Sequence, residues 1–354
     1  MKKDFGVIKD GKSTSLYVLK NDNGLEMHVS DYGASWVAAL VPDANGKVRD
    51  VLLGYDNAAG YEAGGEAIGA TVGRVANRTG GAEFELNGNV YHLSKNKGND
   101  NLHSGPDVYQ KRLWKTLEAD DRHVVFELYS PDGDQGYPGA MNVRVTYELK
   151  EDNAVMKVTY EVTEADELSI TYHATADKTT VFNMTNHAYF NLNGHESGTI
   201  LAHELLVNAD GYTETDEGSI PTGKIIPVEG TPMDFRVKKV IGRDIEENYK
   251  ALVDGNGYDH NWTINGDGFR KAAELTGNES GITMEVYTDR PGVQVYAGNY
   301  LNDEQGKAGA IYGKRSGICF ETQNYPDAIH HSEFPNPVLL KGEVLKTSSM
   351  YRFL

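Results

Sequence analysis

Glu321 is the residue in this chain whose setting most clearly suggests chemistry. It directly follows the apolar run ICF, residues 318–320, and precedes a polar, proline-containing loop. A buried, unpaired carboxylate is costly, so such a group shifts its pKa or finds a partner. Glutamate and histidine have reference pKa values of about 4.3 and 6.5, and small shifts bring both towards neutral pH, where proton transfer is efficient. Glu321 is therefore a candidate base, with a histidine as its acid partner.

Polar residues that bind hydroxyl groups cluster in several stretches that break an otherwise alternating sequence. These stretches are GRVANR (73–78), NLHSG (101–105), FNMTNHAYFNL (182–192), GYDHNW (257–262), DRPGVQVYAGNYL (289–301) and FETQNYPDA (320–328). Together they contain Asn77, Arg78, His103, His187, Tyr189, Asp259, His260, Gln294 and Glu321. A sugar presents a ring of hydroxyls and one apolar face that an aromatic side chain can cover. The composition of these stretches favours acid–base chemistry on a sugar-like ligand.

Each candidate also has a purely structural explanation. The Asn77–Arg78 pair could form a cap or a surface ion pair, since exposed polar residues rarely carry function. His187 could be a hydrogen-bonded structural histidine, and Asp259 could close an Asx-turn. Glu321 could face solvent. Cys319 is two positions before Glu321, so the two side chains share a strand face. A cysteine in such a position is more often a buried, inert thiol than a nucleophile.

Composition excludes several classes of protein. The formal net charge of −18 over 354 residues argues against nucleic-acid partners and anionic membrane surfaces, which need clustered lysine and arginine. A single cysteine excludes an internal disulfide. The first 16 residues, MKKDFGVIKDGKSTSL, contain no apolar segment typical of a secretory signal, and no run of about 18 apolar residues occurs. We expect a cytoplasmic protein that does not enter membranes.

Motifs for metals and nucleotides are absent from the sequence. It contains no HExxH, no CxxC and no EF-hand loop, so no metal is expected. It contains no GxGxxG after a strand and no GxxxxGK[ST], so no nucleotide cofactor is expected. A GxSxG nucleophile elbow is also missing. The sequence therefore predicts an activity that uses no cofactor.

The elements that must position these residues are mostly β-strands. Residues 142–149, 156–162 and 168–174 alternate apolar and polar side chains, and HVVFELYS, residues 123–130, resembles a further strand. Such period-two runs with short polar connections are typical of antiparallel strands with one buried face. Only residues 237–249 show a helical pattern. We predict an all-β fold, a large antiparallel β-sandwich with few short helices, formed by one domain over residues 1–354, with edge loops building the site.

The six polar stretches, taken in order, resemble the aldose 1-epimerase (galactose mutarotase) family. The residues that carry the resemblance are GRVANR, NLHSG, TNHAYFNL, GYDHNW, PGVQVYAGNYL and ETQNYPDA, spread over residues 73–328, and DGDQGYPG near residue 135 and the C-terminal YRF agree with it. The resemblance implies the galactose mutarotase-like supersandwich fold. It also implies a cofactor-free enzyme that interconverts the α and β anomers of free aldoses such as galactose and glucose.

The resemblance also implies roles for individual residues. Glu321 matches the general base and His187 the general acid, while His103 matches a histidine near the ring oxygen. The substrate-binding positions match Asn77, Arg78, Asp259 and Gln294. Because His103 could donate to the same ring oxygen, the sequence leaves open which histidine is the acid. The family usually has two glycines after the leucine–histidine pair, and Ser104 replaces the first, which could narrow the approach to His103 or add a hydroxyl donor.

Three other functions remain possible from the sequence. A non-catalytic carbohydrate-binding module could use the same cleft but needs no base. A hexose-phosphate 1-epimerase would need a basic cluster for the phosphate, for which Arg74 and Arg78 are the candidates. A glycoside hydrolase would need two carboxylates, Glu321 and Asp259, at a defined separation. The preferred aldose is not ranked by the sequence, and the protein is expected to be a monomer or a homodimer.

Overall fold

The computed structural model describes residues 1–150, 155–163 and 176–354, and this part of the chain is mostly strand. It contains two short α-helices, α1 (Ala58–Ala63) and α2 (Lys250–Asp254). Six 3₁₀ turns cover Gly80–Ala82, Tyr109–Lys111, Asp134–Gly136, Ile241–Arg243, Lys307–Gly309 and Ala328–His330. The strands are β1 (Lys2–Val7), β2 (Ser13–Lys20), β3 (Glu26–Ser30), β4 (Ser35–Pro42), β5 (Val48–Asp50), β6 (Thr71–Val72), β7 (Arg78–Thr79), β8 (Glu83–Leu86), β9 (Asn89–His92), β10 (Asn101–Leu102), β11 (Lys115–Ala119), β12 (His123–Ser130), β13 (Met141–Leu149), β14 (Val155–Thr163), β15 (Thr180–Val181), β16 (Thr185–Asn186), β17 (Tyr189–Phe190), β18 (Glu204–Val207), β19 (Ala209–Thr215), β20 (Pro221–Pro227), β21 (Lys239–Val240), β22 (Asp259–Ile264), β23 (Arg270–Thr276), β24 (Thr283–Thr288), β25 (Gly292–Tyr296), β26 (Glu304–Gln305), β27 (Ile311–Tyr312), β28 (Ile318–Gln323), β29 (Val338–Leu339) and β30 (Lys346–Phe353).

Three large antiparallel sheets contain most of these strands. A five-stranded sheet has the order β1-β2-β3-β4-β5, and a nine-stranded sheet has the order β11-β12-β13-β14-β30-β24-β23-β18-β21. A six-stranded sheet has the order β17-β28-β25-β22-β19-β20, and the remaining strands form two-stranded ribbons. The predicted all-β antiparallel architecture with few short helices is confirmed. No helix in the described ranges is long and apolar enough to cross a membrane.

The alternating pattern places strand side chains as the sequence predicts. In β13, Val143, Val145 and Tyr147 are fully buried, while the residues between them are half-buried. The strand predicted at residues 123–130 is β12, with the same bounds. The alternating run at 168–174 lies outside the described residues.

Aromatic side chains join the three sheets in one core. The Trp36 ring of β4 lies 5.6 Å from Phe190 of β17 and 5.2 Å from Tyr351 of β30. Phe190 in turn lies 6.3 Å from Phe320 of β28. Edge-to-face and tilted aromatic pairs at such distances stabilise beyond the area that they bury. The six-stranded sheet is therefore packed against the nine-stranded sheet by its inner face.

Strand β28 shows how this packing positions a site. Ile318 and Phe320 belong to the main core, whereas Cys319 and Glu321 point to the opposite face because successive strand side chains alternate. On that outer face Glu321 pairs across the ladder with Gln294 of β25. The inner face of β28 thus fixes the strand, and the outer face carries the polar side chains.

The helix predicted at residues 237–249 is wrong. Lys239 and Val240 form edge strand β21, which pairs with Glu204 and Leu205 of β18, and a single 3₁₀ turn follows. A Cβ on Gly242 would lie 2.8 Å from the Leu201 carbonyl oxygen, so glycine allows a close backbone approach there. Pairing with the nine-stranded sheet outweighs the local helical pattern, and the helix forms later, at Lys250–Asp254.

Candidate active site

A cavity of about 210 Å³ opens over the outer face of the six-stranded sheet. Six of the seven predicted site residues line it: Asn77, Arg78, His103, His187, Asp259 and Glu321. Its volume is below the ~300–1,000 Å³ of sites for drug-sized ligands, which suits a single small ring. The predicted site residues Asn77 and Glu321, 244 positions apart in the sequence, are thus brought to one cavity.

Glu321 lies at the buried end of this cavity, 2% exposed. One carboxylate oxygen, Oε1, lies 3.6 Å from His187 Nε2. The other, Oε2, is buried and has no hydrogen-bond partner among the described residues. Burial raises the pKa of Glu321 well above its usual value, the charge of Asp259 raises it further, and Arg78 partly opposes them. The unpaired oxygen is free to contact a ligand, and the raised pKa makes the ionised form of Glu321 a stronger base than an ordinary carboxylate.

His187 directly follows β16, two residues before β17 begins, and backbone hydrogen bonds hold it on both sides. Its N–H donates to Ala70 O at 2.9 Å, and its carbonyl accepts from Gly69 N–H at 2.9 Å. Burial lowers the pKa of His187 to about 4, although its own carbonyl and the charge of Asp259 favour the protonated ring. The imidazole is therefore fixed in direction and neutral in the resting protein at neutral pH.

His103 pairs with Asn77 through the backbone. His103 N–H donates to Asn77 O at 2.9 Å, and Asn77 N–H donates to His103 Nδ1 at 3.1 Å. Because Nδ1 accepts a hydrogen bond, the ring proton of neutral His103 is on Nε2. Burial lowers the pKa of His103 well below its usual value, and the nearby His187 and Arg78 lower it further. His103 is thus a neutral hydrogen-bond donor.

Asn77 and Arg78 form the adjacent part of the wall. Asn77 has φ of 62°, a left-handed conformation that asparagine tolerates better than most residues. Its Oδ1 accepts from the Arg78 backbone N–H at 2.9 Å and from Arg78 Nη1 at 3.3 Å. The amide of Asn77 therefore orients the guanidinium that reaches the cavity.

Asp259 and Gln294 occupy neighbouring strands, β22 and β25. Gln294 Nε2 donates to Asp259 Oδ1 at 2.7 Å. Asp259 lines the cavity, whereas Gln294 is 3% exposed and lies behind it, outside the lining. The contact fixes the Asp259 carboxylate, and a direct contact between Gln294 and a ligand stays a prediction.

Part of the cavity wall was not predicted from the sequence. These further lining residues are Gly65, Glu66, Ala67, Lys97, Leu102, Gln110, Tyr296 and Tyr300. The Gln110 Oε1 atom is buried and unpartnered in the described part of the chain, and Lys97 Nζ lies 5.9 Å from the Tyr300 ring centroid. Tyr296 and Tyr300 lie in one of the polar stretches. Glu66 and Lys97 lie in loops and Gln110 lies in the 3₁₀ turn Tyr109–Lys111, and no sequence pattern distinguishes these three.

Ser104 does not reach the cavity. It is fully buried, and its Oγ accepts from Val75 N–H at 2.9 Å and donates to Val75 O at 3.0 Å. Its φ of 57° is in the left-handed region, which explains why a glycine suits this position. The Ser104 hydroxyl therefore forms hydrogen bonds with the backbone and does not contact a ligand in the cavity.

Arg74 does not line the cavity either. The Arg74 side chain is fully buried, and its Nη1 donates to the carbonyl oxygens of Pro138 and Gly139 at 2.8 and 2.9 Å. The cationic side chains in the cavity lining are Arg78 and Lys97, and Lys97 lies at the exposed mouth. Arg74 and Arg78 therefore do not form the basic cluster that a hexose-phosphate 1-epimerase would need for its phosphate.

Three possible metal ligands meet in the cavity. One ligating atom each from His103, His187 and Glu321 lies within 4.8 Å of the others, the single such group found in residues 1–150, 155–163 and 176–354. Tetrahedral zinc with bonds of about 2.0–2.2 Å needs ligand atoms roughly 3.3–3.6 Å apart. The three side chains fit zinc only if they draw together, and the expectation of no metal stays a prediction.

Comparison with known proteins gives matches over the whole chain. The family model described as aldose 1-epimerase matches residues 15–166 and 153–352. The galactose mutarotase of Mus musculus is 39% identical over 352 residues, which are 99% of this chain and 97% of that protein. The aldose 1-epimerase of Escherichia coli K12 is 35% identical over 350 residues, 98% of this chain and 96% of that protein.

Solved structures give the same result. A crystal structure of a GalM/aldose epimerase homologue from C. elegans has a TM-score of 0.86 and 29% identity, covering 96% of this chain and 99% of that one. The galactose 1-epimerase from Lactobacillus acidophilus has a TM-score of 0.84 and 28% identity, covering 100% of this chain and 98% of that one. With its sandwich of antiparallel sheets and a glutamate–histidine pair in the cavity, this chain belongs to the aldose 1-epimerase family.

Proposed function

We propose that this protein is an aldose 1-epimerase that interconverts the α and β anomers of free aldoses such as galactose and glucose. Membership of the family supports this activity, and so do relatives named galactose mutarotase and aldose 1-epimerase. The observation that carries the proposal is the 3.6 Å approach of His187 Nε2 to Glu321 Oε1 at the end of a cavity sized for one ring. A base and an acid side by side are what opening a hemiacetal requires.

The reaction follows from proton transfers at these two groups. Glu321 takes the proton of the anomeric hydroxyl, and His187 Nε2 gives a proton to the ring oxygen. The C1–ring oxygen bond breaks as the C1 carbonyl forms. Rotation about the C1–C2 bond then presents the other face of the aldehyde. Closure reverses both transfers, so each group regains its starting state.

Throughout this cycle the Glu321–His187 pair holds one transferable proton. In the resting pair that proton is on Glu321 and His187 is neutral. Once the closed sugar is bound, the proton passes to His187 Nε2, so that the sugar faces a carboxylate and an imidazolium. Ring opening returns the pair to a carboxylic acid and a neutral imidazole. The pKa shifts, raised for Glu321 and lowered to about 4 for His187, favour this last arrangement. The surroundings of the pair therefore favour the proton transfers that accompany ring opening.

His187 rather than His103 is the acid in this proposal. Nδ1 of His103 already accepts the Asn77 N–H, so its imidazolium would lose that hydrogen bond. His103 instead donates from Nε2 to an oxygen of the sugar. The 3.6 Å distance between His187 Nε2 and Glu321 Oε1 supports this choice between the two histidines that the sequence left open.

The remaining predicted residues hold the sugar. Arg78 and Asp259 are placed to bind ring hydroxyls by charge-assisted hydrogen bonds, so that the open chain stays in place while it rotates. Asn77 and Gln294 orient these two side chains. A sugar-binding module without catalysis would not need Glu321 and His187 at this distance.

Polarimetry tests the activity. Freshly dissolved α-D-galactose and α-D-glucose are followed with the wild type, with Glu321→Gln, and with Glu229→Gln, whose carboxylate is 83% exposed. The wild type and Glu229→Gln should speed the approach to equilibrium rotation, and Glu321→Gln should lose about 10²–10⁴-fold in kcat. Sugar binding without any acceleration by the wild type would instead identify a binding module, and acceleration confined to hexose phosphates would identify a hexose-phosphate epimerase.

Further properties belong to the same proposal. We propose that a free monosaccharide is its partner, that it needs no cofactor, and that it acts in the cytoplasm as a monomer or homodimer. Light scattering of the purified protein checks the oligomeric state, and cell fractionation checks the location. Unchanged turnover after exhaustive treatment with a chelator is expected for a cofactor-free reaction.

A further inference from the structure

Cys319 contacts the catalytic histidine, and the proposed reaction does not use it. Its Sγ lies 3.4 Å from His187 Nδ1, the ring nitrogen that faces away from Glu321. Cys319 is fully buried on the same face of β28 as Glu321, two residues earlier. One strand therefore presents a group to each nitrogen of the same imidazole.

The reaction restricts which protons the imidazole can carry. Nε2 must hold a proton before ring opening and must lack it afterwards. If Nδ1 carried no proton, donation from Nε2 would leave an imidazolate anion in a buried cavity, which is strongly unfavourable. Nδ1 must therefore keep its proton while Nε2 gives and takes one.

We propose that Cys319 is a positioning residue whose sulfur accepts a hydrogen bond from His187 Nδ1–H and so makes Nε2 the nitrogen that exchanges the proton. This inference rests on the proposed function. A thiol sulfur is a weak acceptor, so the effect is one of orientation and tautomer preference. The carbonyl of His187 itself also favours a protonated ring.

Apart from the carbonyl of His187 itself, the groups that contact this ring in the described part of the chain do not replace the sulfur contact. Glu321 faces Nε2, while the rings of His103, Tyr189 and Tyr296 lie 5.7, 5.0 and 6.1 Å from the His187 ring, centroid to centroid. Asp259 acts by its charge across the cavity. Burial and then the charge of Glu321 raise the pKa of the Cys319 thiol, so it stays a neutral thiol beside the imidazole.

The direct test is the tautomer of His187. Protein labelled with ¹⁵N-histidine is examined by long-range ¹H–¹⁵N correlation at neutral pH, with His187→Asn used to assign the signals. In the wild type we expect a protonated Nδ1 and an unprotonated Nε2. A wild-type His187 with the proton on Nε2 overturns the proposal, and this outcome does not require Cys319 to be replaced.

Two variants test the consequence for catalysis. Cys319→Ala removes the acceptor and should lower kcat about two- to tenfold, the range expected for one lost neutral hydrogen bond, with KM nearly unchanged and a mixture of tautomers in the spectrum. Cys319→Ser retains an acceptor and should recover kcat and the Nδ1–H signal. Wild-type kcat and an unchanged tautomer in Cys319→Ala overturn the proposal, as does a fall in kcat that Cys319→Ser does not reverse.

Failure of the underlying function gives a different result. If the wild type does not accelerate mutarotation at all, the proposed activity is wrong, whatever the spectrum of His187 shows. If the wild type is active and the tautomer is Nε2–H, only the role of Cys319 is wrong. Polarimetry and the histidine spectrum therefore separate the two.

Discussion

At the scale of single residues, the charge of Asp259 influences both members of the proposed catalytic pair, Glu321 and His187. Its negative charge favours the protonated form of Glu321 and also that of His187. Gln294 holds the Asp259 carboxylate in place by a 2.7 Å hydrogen bond. We therefore propose that Asp259 acts on the protonation of the pair in addition to its proposed contact with the sugar.

The pH dependence of kcat/KM should reveal the effect of the Asp259 charge on the Glu321–His187 pair. With one proton on the pair in the active form, kcat/KM should fall on the acid side near the lowered pKa of His187, about 4, and on the basic side at the raised pKa of Glu321. Removing the charge in Asp259→Asn lowers both pKa values, so both limbs should move to lower pH. Asp210→Asn, with a carboxylate 70% exposed, is the control. Limbs that stay in place would show that Asp259 does not act on the pair.

Ser104 makes a second residue-scale prediction. Ser104→Ala loses both hydrogen bonds to Val75 and keeps a Cβ in a left-handed conformation, so it should destabilise the protein by about 1–3 kcal/mol. Ser104→Gly loses the same bonds but relieves roughly 1 kcal/mol of backbone strain. Urea denaturation should rank the wild type above glycine and glycine above alanine. An alanine variant more stable than the glycine variant would contradict the strain at this position.

At the scale of elements, the sequence predicts strands better than the rest. The bounds of β12 and the inward side chains of β13 follow from period-two alternation, because one face of each strand meets the core. The helix predicted at 237–249 fails because pairing of β21 with β18, a contact between distant residues, overrides the local pattern. Glu321 and Arg78 could be selected from the sequence because a carboxylate and a guanidinium are side chains that transfer protons or bind hydroxyl groups.

Loop residues in the cavity wall could not be predicted in this way. Glu66 and Gln110 reach the cavity through turns whose course depends on the packing of the whole fold. Lys111, next to Gln110, is anchored by the carbonyl oxygens of Tyr61 and Glu62 at 2.7 and 2.9 Å. None of these contacts leaves a periodic trace in the sequence.

The C-terminal strand gives a prediction at this scale. Strand β30 lies between β14 and β24 in the nine-stranded sheet, and its Tyr351, 1% exposed, packs against Trp36 and Phe190. Tyr351→Ala should destabilise the protein by about 3–5 kcal/mol because it leaves a large cavity. Tyr129→Ala, at a ring 54% exposed on β12, should change stability by less than about 0.5 kcal/mol. Equal denaturation midpoints for the two variants would show that β30 is not packed as described.

At the scale of the whole molecule, we propose that residues 1–354 form one domain. The main core cluster draws on all three large sheets and contains residues from Tyr17 to Phe353. Calorimetry should then show a single cooperative transition with equal calorimetric and van't Hoff enthalpies. Two resolved transitions would show instead that the N-terminal five-stranded sheet unfolds separately from the other two.

The two faces of β28 have a consequence for how proteins of this kind can diversify. Glu321 and Cys319 share a backbone with Ile318 and Phe320, so altering the course of this strand to change the chemistry would also disturb the core. The wall formed by Glu66, Lys97 and Gln110 comes from loops, which tolerate insertion and exchange. Substitutions in this wall are therefore expected to change the shape of the cavity mouth without moving the proposed proton-transfer pair.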